Sequence, residues 1–214
     1  MGGQIMNKLI DGLSLLGIEA DAGHLAKLET YIQELELWNS KLNLVSIEDY
    51  EQLIVRHVLD CLAGLKPLQQ LEGARVADIG SGAGLPGLLL AIFMENSHFT
   101  LVERSGKKAG FLRSTAALLG MVDRVEVADT DLKNVKSEFD IVTLRAFRDF
   151  GDFYTSLKAV TAQSGSIAAY KARKSSINSD LKAVGIDPEA VGIVPLKVPY
   201  LEEERNLLLI KPWL

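Results

Sequence analysis

The sequence predicts an α/β fold, a mostly parallel sheet covered by helices on both faces, preceded by helices and closed by an antiparallel hairpin. Three observations predict it. Apolar residues in the first 68 positions recur only at helical spacing. From residue 75 onward, short β-rich runs alternate with helical stretches, as in a parallel sheet buried on both sides. Finally, a glycine-rich loop at residues 80–87 lies between the first such run and an apolar helix.

In the N-terminal part, Leu25, Leu28, Ile32, Leu35 and Trp38 form one helical stripe, and Leu53, Ile54, Val58, Leu59 and Leu62 form another. Asp21 is placed to cap the first. These stripes read as packing faces for the α/β part of the chain. The chain therefore divides into a helical extension, residues 1–70, and an α/β domain, residues 71–214. Seven strands are expected in the second part, at 75–79, 98–103, 124–128, 139–143, 165–170, 191–199 and 206–211. No convincing helix separates the last two, which predicts a closing hairpin around residues 201–205.

With 48% hydrophobic and 24% charged residues, the 214-residue chain is too apolar for intrinsic disorder and long enough for a full core. The single cysteine, Cys61, excludes an internal disulfide framework, and it lacks the Cys/His company of a zinc site. It reads as a small core residue on a helix. The first residues carry Lys8 and Asp11 with no sustained apolar region, a poor secretory signal. The longest apolar stretch, residues 85–94, is about half a membrane span. No membrane partner, and a cytoplasmic location, are expected. A net charge of −5 argues against indiscriminate binding to polyanions, so any nucleic-acid site must be a local patch.

The loop reads Asp78-Ile-Gly80-Ser-Gly82-Ala-Gly84-Leu85-Pro86-Gly87. Gly80, Gly82 and Gly84 allow sharp turns and close approach of the backbone to a ligand, where side chains would collide with it. Pro86 suits a first helical turn. Gly82, Gly84 and Gly87 also match the dinucleotide fingerprint, with Glu103 about twenty residues on, so a nicotinamide-dependent oxidoreductase is one reading. Three features favour a methyl donor. Asp78 two residues before Gly80 gives the Asp-x-Gly-x-Gly-x-Gly arrangement seen in S-adenosylmethionine enzymes, where the acid helps hold the loop and the donor's amino-acid part. Glu103 ends the second strand, where a carboxylate can accept both ribose hydroxyls of an adenosyl group. The only histidines, His24, His57 and His98, occupy no obvious hydride-transfer setting.

Several segments together resemble one family, the bacterial small-subunit ribosomal RNA methyltransferases called RsmG or GidB. They are Trp38-Asn-Ser-Lys-Leu-Asn-Leu-Val45, Arg56-His-Val-Leu-Asp60, the loop, Glu103-Arg-Ser-Gly-Lys-Lys108, Phe111-Leu-Arg113, Arg145-Ala-Phe147 and Glu204-Arg205. The resemblance covers nearly the whole chain. It implies a Rossmann-like fold and methylation of guanine N7 in a conserved loop of 16S rRNA, with S-adenosylmethionine as donor. It carries the donor site onto Gly80 and Leu85, onto Thr130, Asp131 and Leu132 for adenine, and onto Arg145. Departures occur at Ser81 and Ala83, which replace Thr and Pro, at Ala172 in a usual Lys-Gly pair, and at Asn206 in place of a frequent histidine.

Guanine N7 carries a lone pair and no proton, so its methylation needs no general base; in-line positioning and exclusion of water suffice. An arginine bidentate to O6 and N7 would block the reacting atom, so a productive contact takes O6 alone. Arg145 is the candidate catalytic residue, for that contact or for orienting the donor carboxylate, the second being favoured here. Because side chains cannot reach N7 inside paired A-form RNA, the target base must sit in a loop or be flipped out. Phe147 and Tyr170 are candidate stacking partners, with core packing as the plain alternative. Basic groups cluster at Arg104, Lys107, Lys108 and Arg113 and again at Lys171, Arg173 and Lys174. Arg56, His57 and Arg205 complete the expected substrate side, with Asp60 placed for a same-helix pair with Arg56 or His57. The expected acceptor is 16S rRNA, the small ribosomal subunit or an assembly intermediate, and the expected state is a monomer. No metal is expected.

Overall fold

The structure is a computed structural model that describes residues 3–46, 49–71, 73–146 and 150–213, with side chains from residue 6 onward. Helix α1 spans Gly3–Leu15 and α2 spans Ala22–Leu42. The Asp21 carboxylate accepts from His24 N at 2.8 Å and the His24 ring accepts from Asp21 N at 3.3 Å, a reciprocal cap that starts α2. Asn43, left-handed at φ 47°, ends it. Asp49 then caps α3 (Tyr50–Leu53), which runs into a π-helical turn (Ile54–Leu59), α4 (Asp60–Leu62) and α5 (Leu65–Gln69).

The remainder alternates: β1 (Arg75–Ile79), α6 (Gly87–Phe93), β2 (His98–Glu103), α7 (Gly106–Leu118), β3 (Val125–Asp129), β4 (Phe139–Arg145), α8 (Phe150–Ala159), β5 (Thr161–Lys171), α9 (Lys174–Ala183), β6 (Gly192–Pro195) and β7 (Asn206–Ile210). The sheet order is β3-β2-β1-β4-β5-β7-β6. Strands β1 to β5 are mutually parallel, and β7 runs antiparallel to both β5 and β6.

Every expected strand is present, with shifted ends where tertiary structure intervenes. β5 starts at Thr161 rather than 165 because the β4–β5 register slips between Phe139 and Ile141. Gly165 sits in that irregularity, where a Cβ would lie 2.9 Å from the carbonyl oxygens of both Phe139 and Asp140. β6 is shorter than expected and pairing stops at Pro195 opposite Asn206. The hairpin connection is therefore residues 196–205, longer than the residues 201–205 expected.

Alternation along the strands assigns the two layers. Val76, Phe99 and Ile141 face one apolar cluster, while Ala77, Val102 and Val142, each an odd number of residues further along the same strands, face the other. The second cluster is covered by Phe150, Leu157, Ile177 and Leu181 of α8 and α9. The first contains α6 and α7 together with Leu9, Leu28, Tyr31, Ile32 and Leu35 of the N-terminal helices, so the helical extension shares a continuous core with the sheet. Cys61 lies wholly inside it. Among the described residues, no helix is long and apolar enough to cross a membrane.

Gly110 stands mid-helix in α7, and a Cβ added there would have nothing within 4 Å. Gly110→Ala should thus stabilise the protein by about 0.5–1 kcal/mol, by removing backbone freedom from the unfolded chain. Chemical denaturation checks this, and a loss of stability would contradict it.

Candidate active site

The loop after β1 is built from three left-handed glycines, Gly80, Gly82 and Gly84, at φ 68°, 54° and 78°. Its turns are closed by Gly80 N and Ser81 N donating to Val102 O at 2.9 and 3.1 Å, and by Ser81 Oγ donating to Asp78 O at 2.8 Å. From the core side, Asp78 Oδ2 accepts from Gly87 N at 3.0 Å. Asp78 is fully buried, which pushes its carboxyl up to about 7 against the pull of the Gly87 N–H. Its Oδ1 has no partner among the described residues. Asp78 thus holds the loop from behind. On the outer side, Glu103 Oε2 accepts from Gly82 N at 2.9 Å and Oε1 from Ser105 N at 2.8 Å. Tyr31 of α2 donates its hydroxyl to Ala83 O at 2.9 Å, so the N-terminal helices pin the same loop.

In front of this loop opens a cavity of about 290 Å³ whose walls include Gly80, Glu103, Thr130, Asp131 and Leu132. Lys108, expected on the substrate side, also lines it, as does Phe153, which no sequence motif marks. Gly82 is open where its side chain would point, since a Cβ would meet only Gly80 O at 3.7 Å. Gly84 differs from expectation. A Cβ there would lie 2.5 Å from Leu88 Cδ1 and 3.1 Å from Leu112 Cδ2, so this glycine makes room for the helices and not for a ligand. Leu85 is likewise buried and lies outside the cavity wall.

A second cavity, about 380 Å³, lies where the π-helical turn meets the carboxyl ends of β4 and β5. Arg145 belongs to its wall. Since Ile79 pairs with Leu144, Arg145 stands one residue further along β4, level with Gly80 of the first cavity. Its Nη1 donates to Asp60 Oδ2 and to Arg56 O, both at 3.2 Å, and its Nη2 lies 3.0 Å from His57 Nδ1. Asp60 also accepts, through Oδ1, from Arg205 Nε at 3.0 Å. Buried Asp60 is thereby shared by two guanidiniums.

This network replaces the same-helix pair expected of Arg56, His57 and Asp60. Arg56 instead forms a two-bond pair with Glu203, at 2.7 and 3.1 Å, across the hairpin connection. The π-turn is the reason, because the residues that share a face there are not those of a 3.6-residue repeat.

His57 is a neutral relay. Its Nε2 lies 3.2 Å from Ser46 O and its Nδ1 faces Arg145, which assigns the proton to Nε2. Burial first, and Arg145 second, hold its pKa down to about 4. A value depressed below the ordinary 6.5 means that stability is fully present above pH 6.5 and is lost as pH falls toward 4, by about 3 kcal/mol at most. His57→Asn retains an acceptor for Arg145 and has no ring to protonate. Melting temperature should then fall less steeply between pH 6.5 and 4 than in the parent; an equal slope would contradict the assignment.

The expected basic contacts separate. Lys171 is largely enclosed, 2.6 Å from Asp180 Oδ2 and 4.9 Å from the Phe150 ring centre, so its charge is answered within the protein although it lines the second cavity. Arg113 pairs with Asp129 at 3.3 Å. Arg104, Lys107, Arg173 and Lys174 are exposed. Tyr170 is core-packed, its hydroxyl donating to Cys61 O at 2.8 Å, with little free ring to stack on a base. Phe147 lies outside the described residues. Asn206 donates to Ala172 O and to Glu204 Oε1, tying β7 to the end of β5. No group of three or more His, Cys, Asp or Glu poised for a metal occurs among the described residues.

A seven-stranded sheet in this order, a triple-glycine loop after β1 and an acid ending β2 define the Rossmann-like methyltransferase class. The same architecture is seen in magnesium protoporphyrin IX methyltransferase from Synechocystis PCC 6803, solved with bound S-adenosylmethionine. The match has a TM-score of 0.57 at 14% identity and covers 89% of this chain and 98% of that one. The chain belongs to the GidB family, rRNA small subunit methyltransferase G, whose profile matches residues 24–208. It is 34% identical to the ribosomal RNA small subunit methyltransferase G of Borrelia turicatae over 96% of this chain and 99% of that protein. To the protein of that name from Klebsiella pneumoniae it is 35% identical, over 97% and 99%.

Proposed function

We propose that the protein transfers the methyl group of S-adenosylmethionine to N7 of a guanine in a loop of 16S rRNA. Membership of the GidB family supports the reaction and the acceptor class. The observation that carries the donor site is the Glu103 carboxylate, clamped on the glycine loop at the wall of the first cavity. Each of its oxygens accepts one backbone N–H and retains a second lone pair, so it can take ribose hydroxyls without releasing the loop. The open face of Gly82 leaves room for the donor's backbone-facing part, and Thr130, Asp131 and Leu132 offer the adenine wall. When bound, the donor would supply an electrophilic methyl group to the N7 lone pair, leaving as the neutral thioether, and no proton would have to leave the base.

The chain's own groups position and select. In this reading Arg145, level with Gly80, stands between donor and acceptor and can orient the donor carboxylate or contact O6. Arg56, His57 and Arg205 form the acceptor wall, while exposed Arg104, Lys107 and Arg173 meet phosphates. The oxidoreductase reading finds no support. His24 stacks on Phe93 at 4.8 Å, His57 is occupied between Ser46 and Arg145, and neither lines the first cavity. The reading takes the protein as a monomer, and an rRNA acceptor supports a cytoplasmic location.

The test is to incubate the protein with S-adenosylmethionine carrying a tritiated methyl and either unmodified small subunits or free 16S rRNA. Label that resists protease and is released by nuclease is the expected result. Label on protein, or none on either acceptor, would reject the reading.

A further inference from the structure

Methyl transfer to N7 sets two demands on the acceptor wall that pull against each other. RNA phosphates favour a positive wall. The reaction, however, moves positive charge from the donor sulfonium onto the guanine ring, which starts neutral and ends cationic. Uncompensated cations beside that ring raise the barrier for the step.

The second cavity contains one unusual device that bears on both. Arg145 and Arg205 come from the ends of different strands, and Asp60, 6% exposed, takes one from each side at 3.2 and 3.0 Å. The π-helical turn delivers it there and also aims Arg56 O at Arg145. The other basic groups of the wall are already answered, Arg56 by Glu203 at 2.7 Å and Lys171 by Asp180 at 2.6 Å, while His57 accepts from Arg145 and so stands neutral. Glu203 also lies 3.7 Å from Arg205 Nη2, but it is already paired with Arg56. Asp60 alone among the described residues hydrogen-bonds to both Arg145 and Arg205, and so it sets whether the two present one net positive charge or two.

Resting on the methyltransferase reading, we propose that Asp60 is a positioning residue that locks Arg145 and Arg205 in one geometry and cancels part of their charge beside the base that becomes cationic. It touches neither reactant, and it acts through the two arginines. Its loss should therefore separate binding from turnover.

With saturating donor and unmodified 16S rRNA, Asp60→Asn should lower kcat by about tenfold or more, while KM for RNA stays level or falls. Binding of the same RNA, followed without donor, should be at least as tight as in the parent and steeper with salt. Arg205→Ala should show the mirror image, a raised KM with little change in kcat. Adding Arg205→Ala to Asp60→Asn should recover most of the lost kcat, because the uncompensated charge is gone.

A merely structural Asp60 predicts otherwise. Melting temperature and kcat would fall together, KM would rise, and the second substitution would worsen the defect. That pattern overturns the proposal, as does an Asp60→Asn protein with parental kcat per folded molecule. Should Asp60→Asn fail to fold, Arg205→Ala decides alone, and a fall in its kcat without a rise in KM counts against the proposal. Absence of transfer by the parent protein would instead reject the functional reading.

Discussion

Replacing Glu103 by alanine should weaken S-adenosylmethionine binding on the order of 100-fold or more. The substitution removes both acceptors that hold Gly82 N and Ser105 N, at 2.9 and 2.8 Å, from the wall of the first cavity. Each backbone N–H left without a partner in a semi-enclosed site costs about 1–3 kcal/mol, and the carboxylate's second lone pairs are lost to the ligand as well. Glu103→Gln should fall nearer alanine than the parent, because its amide can keep one acceptor but turns an N–H donor towards another donor. Calorimetric titration with S-adenosylmethionine measures this. Unchanged affinity in Glu103→Ala would mean that the donor is held elsewhere.

Gly87→Ala should be strongly destabilising. Its Cβ would lie 2.5 Å from Leu101 Cδ2 and 2.6 and 2.7 Å from Asp78 Oδ2 and Cβ. Neither neighbour can step aside, since Leu101 is inside the sheet core and Asp78 is fully buried. Forced overpacking of this kind costs about 1–3 kcal/mol. Displacing the Gly87 N–H from Asp78 would add an orphaned carboxylate oxygen to the one already unpartnered. Taking the two costs together as about 3 kcal/mol, a fall in melting temperature of roughly 6–12 °C is expected, at about 2–4 °C per kcal/mol for a chain of this size. A shift within a degree or two would show that the loop is not packed against β1 and β2 as described.

Much of the fold was readable from the residues. β1 and β2 fall where expected because each is an apolar run bounded on its far side by glycine or acid, a pattern that local sequence alone specifies. The first cavity was readable in part. Gly80, Glu103, Thr130, Asp131 and Leu132 come together in its wall, whereas Gly84, Leu85 and Asp78 stand behind the loop. A glycine that yields to Leu88 and one that faces open space look identical in one dimension.

The second cavity was legible as residue types and not as pairings. Helical spacing placed Asp60 beside Arg56 and His57, but its partners are Arg145 and Arg205, 85 and 145 positions away in the chain. A π-turn has no signature in a 3.6-residue repeat, so the periodicity of residues 53–62 concealed it. Lys171 and Tyr170 show the same limit, since Asp180 and the Cys61 carbonyl that occupy them are brought in by α9 and α4.

Methylation of a guanine at N7, by positioning and without a general base, can be checked at the level of the modified nucleoside itself. The measurement is mass spectrometry of nucleosides from unmodified small-subunit rRNA incubated with the protein and S-adenosylmethionine. The expected new nucleoside is 7-methylguanosine, mapping to a single unpaired guanine. A methyl on an exocyclic amine or a ribose oxygen, each of which must shed a proton, would contradict it.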